Sequence, residues 1–372
     1  MKITPPKLSK LKSLVIGDIT SPLPIIQGGM GVGISLSGLA SAVANEGAIG
    51  VIAAAGIGMK ESDFYSNYLQ ANTRALRREI RRARSMTSGI LGLNIMVAFS
   101  NFGELAVAAM EERIDIIFSG AGLPLSLPKF RPAGSRTKLV PIVSSGRAAG
   151  LLCRHWLEKY DCLPDAFVVE GPKAGGHLGF KKGQIFDPEY SLEKLVQDVI
   201  EKTGPFAIQS GKRIPIIAAG GIYSGADIRK FMDLGADGVQ MGTRFVATDE
   251  CDADIEFKRA YVNSRLEDIV IIDSPVGMPG RAIRNRYIDD VSSGVKKPIK
   301  CPYHCIITCD YKNAPYCIAD ALMNAQRGRF KNGFAFAGAN AYRVSKIVPL
   351  KELMRDLLLE FNETFLCPNA AV

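Results

Sequence analysis

Ile214–Phe245, IPIIAAGGIYSGADIRKFMDLGADGVQMGTRF, is the stretch from which the fold is read. Pro215 to Ala219 is apolar throughout rather than alternating, as a parallel strand buried on both faces must be. A glycine pair follows, then a helix pattern over Ala226–Leu234, then a second short strand, Gly238–Met241, and a second glycine turn. Two consecutive strand–turn–helix units are therefore present. Working outward towards the N-terminus, the same grammar recurs at Leu23–Gln27, Ala48–Ala53, Ile90–Met96, Ile114–Ser119, Leu139–Ser144 and Ala166–Glu170. Helix patterns lie between them at Ser37–Glu46, Phe102–Glu112, Arg147–Tyr160 and Leu192–Lys202. Strands alternating with helices imply right-handed crossovers and a parallel sheet. A count of eight strands makes a closed (β/α)8 TIM barrel the expected α/β fold, with a doubly wound open sheet as the alternative.

A barrel needs about 250 residues, and the chain has 372. Residues 20–247 are assigned to the barrel and 248–345, rich in proline, glycine and cysteine, to an insertion after strand eight. Residues 346–372 form the closing part, with an amphipathic helix over Leu350–Phe361 packing on the barrel. An apolar fraction of 47% against 22% charged residues is ordinary for a globular chain and argues against disorder. The net charge is +9. Much of it is concentrated in Arg74, Arg77, Arg78, Arg81, Arg82 and Arg84, spaced to line one side of a helix within Lys60–Ser88. Two readings stand: a solvated helix face, or a docking patch for an acidic carrier protein or a phosphorylated substrate. Nucleic acid is not expected, because no binding motif or interleaved aromatics accompany the patch.

Met1–Asp18 is lysine-rich without the apolar run of a signal peptide. Gly47–Gly58 is too short and too glycine-rich to span a bilayer. A soluble, cytoplasmic protein without membrane contact is the expectation, in which the eight cysteines form no disulfide framework.

Strand ends carry the chemistry in such barrels, and here they are glycine-rich. Strand one ends in Gln27-Gly28-Gly29-Met30-Gly31 and strand six in Glu170-Gly171-Pro172-Lys173-Ala174-Gly175-Gly176-His177. Strand seven ends in Ala219-Gly220-Gly221 and strand eight in Met241-Gly242-Thr243. Glycine lets a ligand approach backbone N–H groups directly. Paired glycine turns after strands seven and eight predict a phosphate site, to which the helix beginning near Ser224, Gly225 and Asp227 would add its dipole.

The Ile214–Phe245 stretch resembles the phosphate-binding half of FMN barrels and, more loosely, inosine monophosphate dehydrogenases. The latter need a cysteine nucleophile in the loop after strand six, which is absent. Lys173-Ala174-Gly175-Gly176-His177, with Ile26-Gln27-Gly28-Gly29-Met30-Gly31 and Gly92-Leu93-Asn94, resembles instead nitronate monooxygenases and the related flavin-dependent enoyl-acyl-carrier-protein reductases. The resemblance spans roughly residues 20–250. It implies FMN, with Gly28, Gly29 and Met30 packing the ring and Asn94 bonding the ring or ribityl chain. Glu170 would accept from a ribityl hydroxyl, and Lys173, Gly175 and Gly176 would complete the loop over the flavin. Gly220, Gly221, Gly242 and Thr243 would hold the phosphate. Amides and a hydroxyl suit a phosphate, and a carboxylate suits sugar hydroxyls.

His177 is the expected catalytic residue, on a glycine-rich loop over the cofactor, because imidazole changes charge near neutral pH. His155, beside Trp156 within a helix, reads as structural. The implied reaction is oxidation of alkyl nitronates by dioxygen. Two alternatives stay open: an enoyl-thioester reductase fed by NAD(P)H, and a non-catalytic flavin- or phosphate-binding barrel. A homodimer is compatible with the sequence. Cys301, Cys305, Cys309 and Cys317 fall within seventeen residues, with His304 among them. Spacing of four would put three thiols on one helix face, as ligands for zinc or an iron–sulfur cluster or as small apolar side chains. Pro302 interrupts the pattern, no C-x2-C pair exists, and no metal ligand is assigned.

Overall fold

The apolar runs of the sequence are strands buried on both faces in a computed structural model that describes residues 11–297, 300–301 and 304–363. The first ten residues, Pro302 and the tail beyond residue 363, on which part of the sequence reading fell, lie outside the described residues. Eight parallel strands form one sheet: β1 (Ile25–Gln27), β2 (Gly50–Ala53), β3 (Leu91–Met96), β4 (Ile116–Gly120), β5 (Lys138–Val143), β6 (Phe167–Glu170), β7 (Ile216–Ala219) and β8 (Gly238–Met241). From β2 onwards each strand pairs with its successor, β8 pairs with β1, and an isolated parallel bridge between Ile26 and Ile49 brings β1 beside β2. The result is a (β/α)8 barrel.

Successive residues of one strand serve two cores. Ile217 and Ala219 face an interior cluster with Ile26, Val51, Phe118 and Val168, while Ile216 and Ala218 face the layer under the helices. That double burial is why the strands read as unbroken apolar runs. A hairpin, Leu14–Ile16 with Ile19–Ser21, sends Leu14 and Ile16 into the interior cluster near the start of β8.

The enclosing helices are α1 (Ser37–Asn45), α2 (Tyr68–Met86), α3 (Phe102–Glu111), α4 (Gly146–Tyr160), α5 (Leu192–Ser210) and α6 (Gly225–Asp233). Helix α5 runs past Gly204 and Pro205, where the sequence pattern stopped at Lys202. The arginines do lie on a helix, α2, but its cations have partners. Arg74 reaches Glu61 and Asp63, Arg77 reaches Glu111 and Glu112, and Arg78 pairs with Glu61. Arg81 pairs with Glu112 and Arg84 with Asp115, each at 2.6 Å. Of the six, only Arg82 has no ion pair among the described residues.

After β8 the chain forms α7 (Thr243–Val246), α8 (Ile255–Val262), a hairpin of β9 (Ile269–Asp273) and β10 (Pro279–Ile283), α9 (Arg286–Ser292) and α10 (Ile318–Gln326). Helix α11 (Leu350–Glu363) closes the described chain and buries Leu350, Leu353, Met354, Leu357 and Phe361 against the barrel layer. The cysteine segment corrects one expectation. Cys301, Cys305 and Cys309 belong to no helix; the described residues there are irregular, so a spacing of four puts nothing on a common helix face. No described helix is long and apolar enough to cross a membrane.

Candidate active site

A cavity of about 560 Å³ opens at the carboxyl ends of the strands, within the size range of cofactor sites. All thirteen residues singled out from the sequence line it: Gly28, Gly29, Met30, Asn94, Glu170, Lys173, Gly175, Gly176, His177, Gly220, Gly221, Gly242 and Thr243. They come from five strand ends, yet they meet around one space.

Gly29 sits so close to β3 that an added Cβ would lie 2.3 Å from the Asn94 Cβ. The turn is shaped from behind by Gln27, whose side-chain amide is fully buried. Its Nε2 donates to the Gly28 carbonyl at 2.5 Å, and its Oε1 accepts from the Val51 amide at 2.9 Å. On the opposite side Gly220 and Gly221 have φ of 93° and 99°, which L side chains rarely adopt. A Cβ on Gly220 would approach the Gly171 carbonyl to 2.7 Å. At both glycine turns side chains are excluded, so there a ligand can meet the backbone directly.

The helix dipole expected at the phosphate turn is not free. Helix α6 begins with a closed capping box, in which Ser224 Oγ accepts from Asp227 N and Asp227 Oδ2 accepts from Ser224 N. Asp227 Oδ2 also accepts from Tyr223 N, and Gly225 N donates to Glu360 Oε2 of α11 at 2.7 Å. With those amides taken and carboxylates standing there, the donors left for a phosphate are the glycine turns and Thr243. Asn340 closes that end, its Nδ2 donating to the Gly221 carbonyl at 2.7 Å.

Glu170 ends β6, and its carboxyl makes no hydrogen bond or ion pair among the described residues, although it borders the cavity. Burial pushes its carboxyl up to about 7. An unpartnered carboxyl at a cavity wall fits a ligand that presents hydroxyl groups. Asn94 likewise leaves its side chain to the cavity.

His177 lies on a two-residue strand, Gly176–His177, which pairs antiparallel with β10 through Gly280 and Arg281. Its Nε2 is 2.7 Å from Ser274 Oγ, in the turn between β9 and β10, and its ring packs edge-on against Phe336 with centroids 5.0 Å apart. Burial pulls its pKa down to about 4, so the imidazole is neutral around pH 7 rather than poised to change charge there. A neutral imidazole over a ligand cavity can accept a proton.

Several contributors were not legible beforehand. Ser274, Phe336 and Asn340 belong to the segment after strand eight, which has no repeat to place them. Arg281 was in principle visible, as a cation in the apolar run Pro279–Ile283. Only 5% exposed, it donates through Nη1 to the carbonyls of Pro172 and Ala174, each at 2.6 Å, clamping the loop that leads to His177. Burial lowers its pKa to about 10, which still leaves it charged.

A family model described as nitronate monooxygenase matches residues 12–360. A Staphylococcus aureus protein described as a probable nitronate monooxygenase is 28% identical over 305 residues, 72% of this chain and 77% of that one. A Mycobacterium tuberculosis protein described as (3aS,4S,5R,7aS)-5-hydroxy-7a-methyl-1-oxo-octahydro-1H-indene-4-carboxyl-CoA dehydrogenase is 28% identical over 272 residues, 73% of this chain and 66% of that one. Among solved structures, FabK from Thermotoga maritima superposes with a TM-score of 0.72 at 27% identity, covering 94% of this chain and 96% of that one.

Proposed function

The chain belongs to the nitronate monooxygenase family and is a flavin-dependent oxidoreductase, and from that premise we propose that it binds FMN and oxidises alkyl nitronates with dioxygen. Membership in an enzyme family sets aside the non-catalytic barrel. The observation that carries the reading is His177: a neutral, half-buried imidazole, fixed by Ser274 and Phe336, that lines the same cavity as the glycine turn of β1. When bound, the flavin supplies the electron acceptor, and the protein's share is position and proton control.

On this reading Gly28 and Gly29 give the ring a flat backbone wall, and Asn94 offers it a donor and an acceptor. Glu170 accepts from the ribityl chain, while Gly220, Gly221, Gly242 and Thr243 receive the phosphate. His177 would accept the O–H proton of a nitronic acid, giving the nitronate anion, or direct the nitronate oxygens through a hydrogen bond. Residues 248–345 roof the site and keep water from it. A cytoplasmic location and a homodimer remain the expectations for such an enzyme.

A second reading, an NAD(P)H-dependent enoyl-thioester reductase, draws support from the relative described as a carboxyl-CoA dehydrogenase. The arginines of α2 give it little help, since five of the six are paired within the chain. Docking of an acidic carrier there would have to break those pairs.

The test is an anaerobic visible titration of the purified protein. Bleaching of the flavin bands by an alkyl nitronate alone, reversed by air, is the expected result. Bleaching by NADPH or NADH that an enoyl thioester reverses would move the assignment to the reductase. A protein that takes up no FMN would overturn both.

A further inference from the structure

The four cysteines after α9 have no place in the flavin reading, yet they gather in space. Cys301, Cys305, Cys309 and Cys317 all border one small hollow beside the main cavity, and Cys305 borders both. None is in a disulfide. We propose that these four thiols ligate an iron–sulfur cluster at the edge of the flavin cavity.

The first argument is their exposure. Cys153 and Cys251 show what thiols do here as apolar filling: both are buried in the main core. The four clustered cysteines are each only half-buried and turned to a shared space. Cys305 and Cys309 also pack against the main core, but core packing does not require all four thiols to border one hollow, whereas a cluster bound by four cysteinates does.

The second argument is backbone support for sulfur. The His304 amide donates to Cys301 Sγ at 3.3 Å. Cys317 occupies the N-cap of α10. Donors to sulfur are the contacts that steady cluster thiolates and tune their potential.

The third is the loop itself. Between α9 and α10 the described residues form no helix and no strand beyond isolated bridges. It is nonetheless held at fixed points: Ser100 N donates to the Cys305 carbonyl at 3.2 Å, Ile307 N to the Ala98 carbonyl at 2.9 Å, and Thr308 Oγ1 to the Val276 carbonyl at 3.2 Å. An irregular, cysteine-dense segment with few apolar residues to bury gains order from a bound metal centre.

Iron–sulfur is preferred to a single zinc ion on geometry. Among the described residues no three histidine, cysteine, aspartate or glutamate side chains converge as donors to one ion do. Zinc would draw thiolates to about 2.3 Å from a common point. In a cluster the irons and sulfides stand between the thiolates, so such convergence is not required.

The proposal does not depend on whether the substrate is a nitronate or a thioester. Its test is the full chain purified without oxygen, with iron, acid-labile sulfide and flavin each measured per chain. About two to four irons with a matching amount of sulfide are expected. So is visible absorbance beneath the flavin bands that persists once the flavin is extracted, and a paramagnetic signal after reduction. Cys309→Ser is expected to lose most of the iron and sulfide, whereas Cys162→Ser, outside the group, keeps both. The proposal is overturned by stoichiometric zinc without sulfide. It is equally overturned if the unaltered protein, still binding flavin, takes up no cluster when ferrous iron and sulfide are supplied anaerobically. Both readouts use the unaltered chain, so they hold even if the serine variant fails to fold.

Discussion

At the scale of single residues, the site is governed by two groups whose burial moves them in opposite electrostatic senses. His177 is held neutral, with its pKa near 4 against an ordinary value of 6.5. Between those two pH values the unfolded chain takes up a proton that the folded one refuses, so the histidine's contribution to stability falls as pH drops through that window. If it serves as base, kcat/KM should stay level from neutral pH down towards about 4 and fall below it. His177→Gln should lower kcat by about 10²–10⁴-fold, the usual weight of general acid–base catalysis, with flavin content unchanged. A pH–rate profile with its acid limb near 6.5 would refute the buried neutral form. Glu170 behaves the other way, raised from 4.5 to about 7. Its folded form keeps a proton that the unfolded form releases, so its contribution is full below about 4.5 and is lost as pH rises to about 7. Denaturant melts of the flavin-free protein at several pH values should show that loss, and Glu170→Gln should remove it while weakening flavin retention. That both residues border the cavity was legible, because Glu170 ends an apolar strand and His177 stands on the glycine-rich loop that follows it. Their ionisation was not legible, since it comes from burial by segments far away in sequence.

At the scale of elements, the sequence was clearest where repetition spoke. Eight apolar runs bounded by glycine turns gave the strands within a residue or two, because parallel strands buried on both faces have no alternating pattern to misread. It was weakest after Thr248, where β9 and β10 form an antiparallel hairpin that stands outside the strand–helix repeat. The hairpin matters nonetheless, because β10 is where Arg281 enters. Its guanidinium meets the carbonyls of Pro172 and Ala174 and, among the described residues, no carboxylate, so its value lies in fixing the loop before His177. Arg281→Met should leave two carbonyls without a donor, at about 1–3 kcal/mol each when buried. The expected result is flavin affinity weakened by about tenfold or more, read by equilibrium dialysis, and a higher KM. Arg281→Lys should recover part of the affinity, since an ammonium reaches one carbonyl but cannot fork to two. Equal losses in both variants would point to simple unfolding instead. The helix expected to lend its dipole to phosphate shows the limit of motif reading. Ser224-Gly225-Ala226-Asp227 marks a helix start, but the same Asp227 that caps it occupies the amides a phosphate would use.

At the scale of the whole molecule, the barrel is closed twice: by the bridge from β1 to β2, and by α11 laid across α6. The second closure links the end of the described chain to the turns after β7 and β8. Glu360 of α11 accepts from Gly225 N and holds Arg244, which follows Gly242 and Thr243 and packs over the Tyr223 ring at 5.1 Å. The amphipathic pattern of Leu350–Phe361 foretold a packed helix, but not that its polar edge would reach the turns after β7 and β8. Leu357, fully buried between α11 and the barrel, reports on that docking. Leu357→Ala should destabilise the protein by about 2–5 kcal/mol through lost packing and a residual cavity, a large share of a typical stability of about 5–15 kcal/mol. The denaturant midpoint should fall with little change in slope. Because flavin binds only the folded state, excess FMN should raise the midpoint again by mass action. If α11 also steadies the phosphate turns, the rise in midpoint will be smaller in the variant than in the parent, since the variant binds flavin less tightly. Equal rises in both proteins would mean that α11 stabilises the barrel without reaching the site.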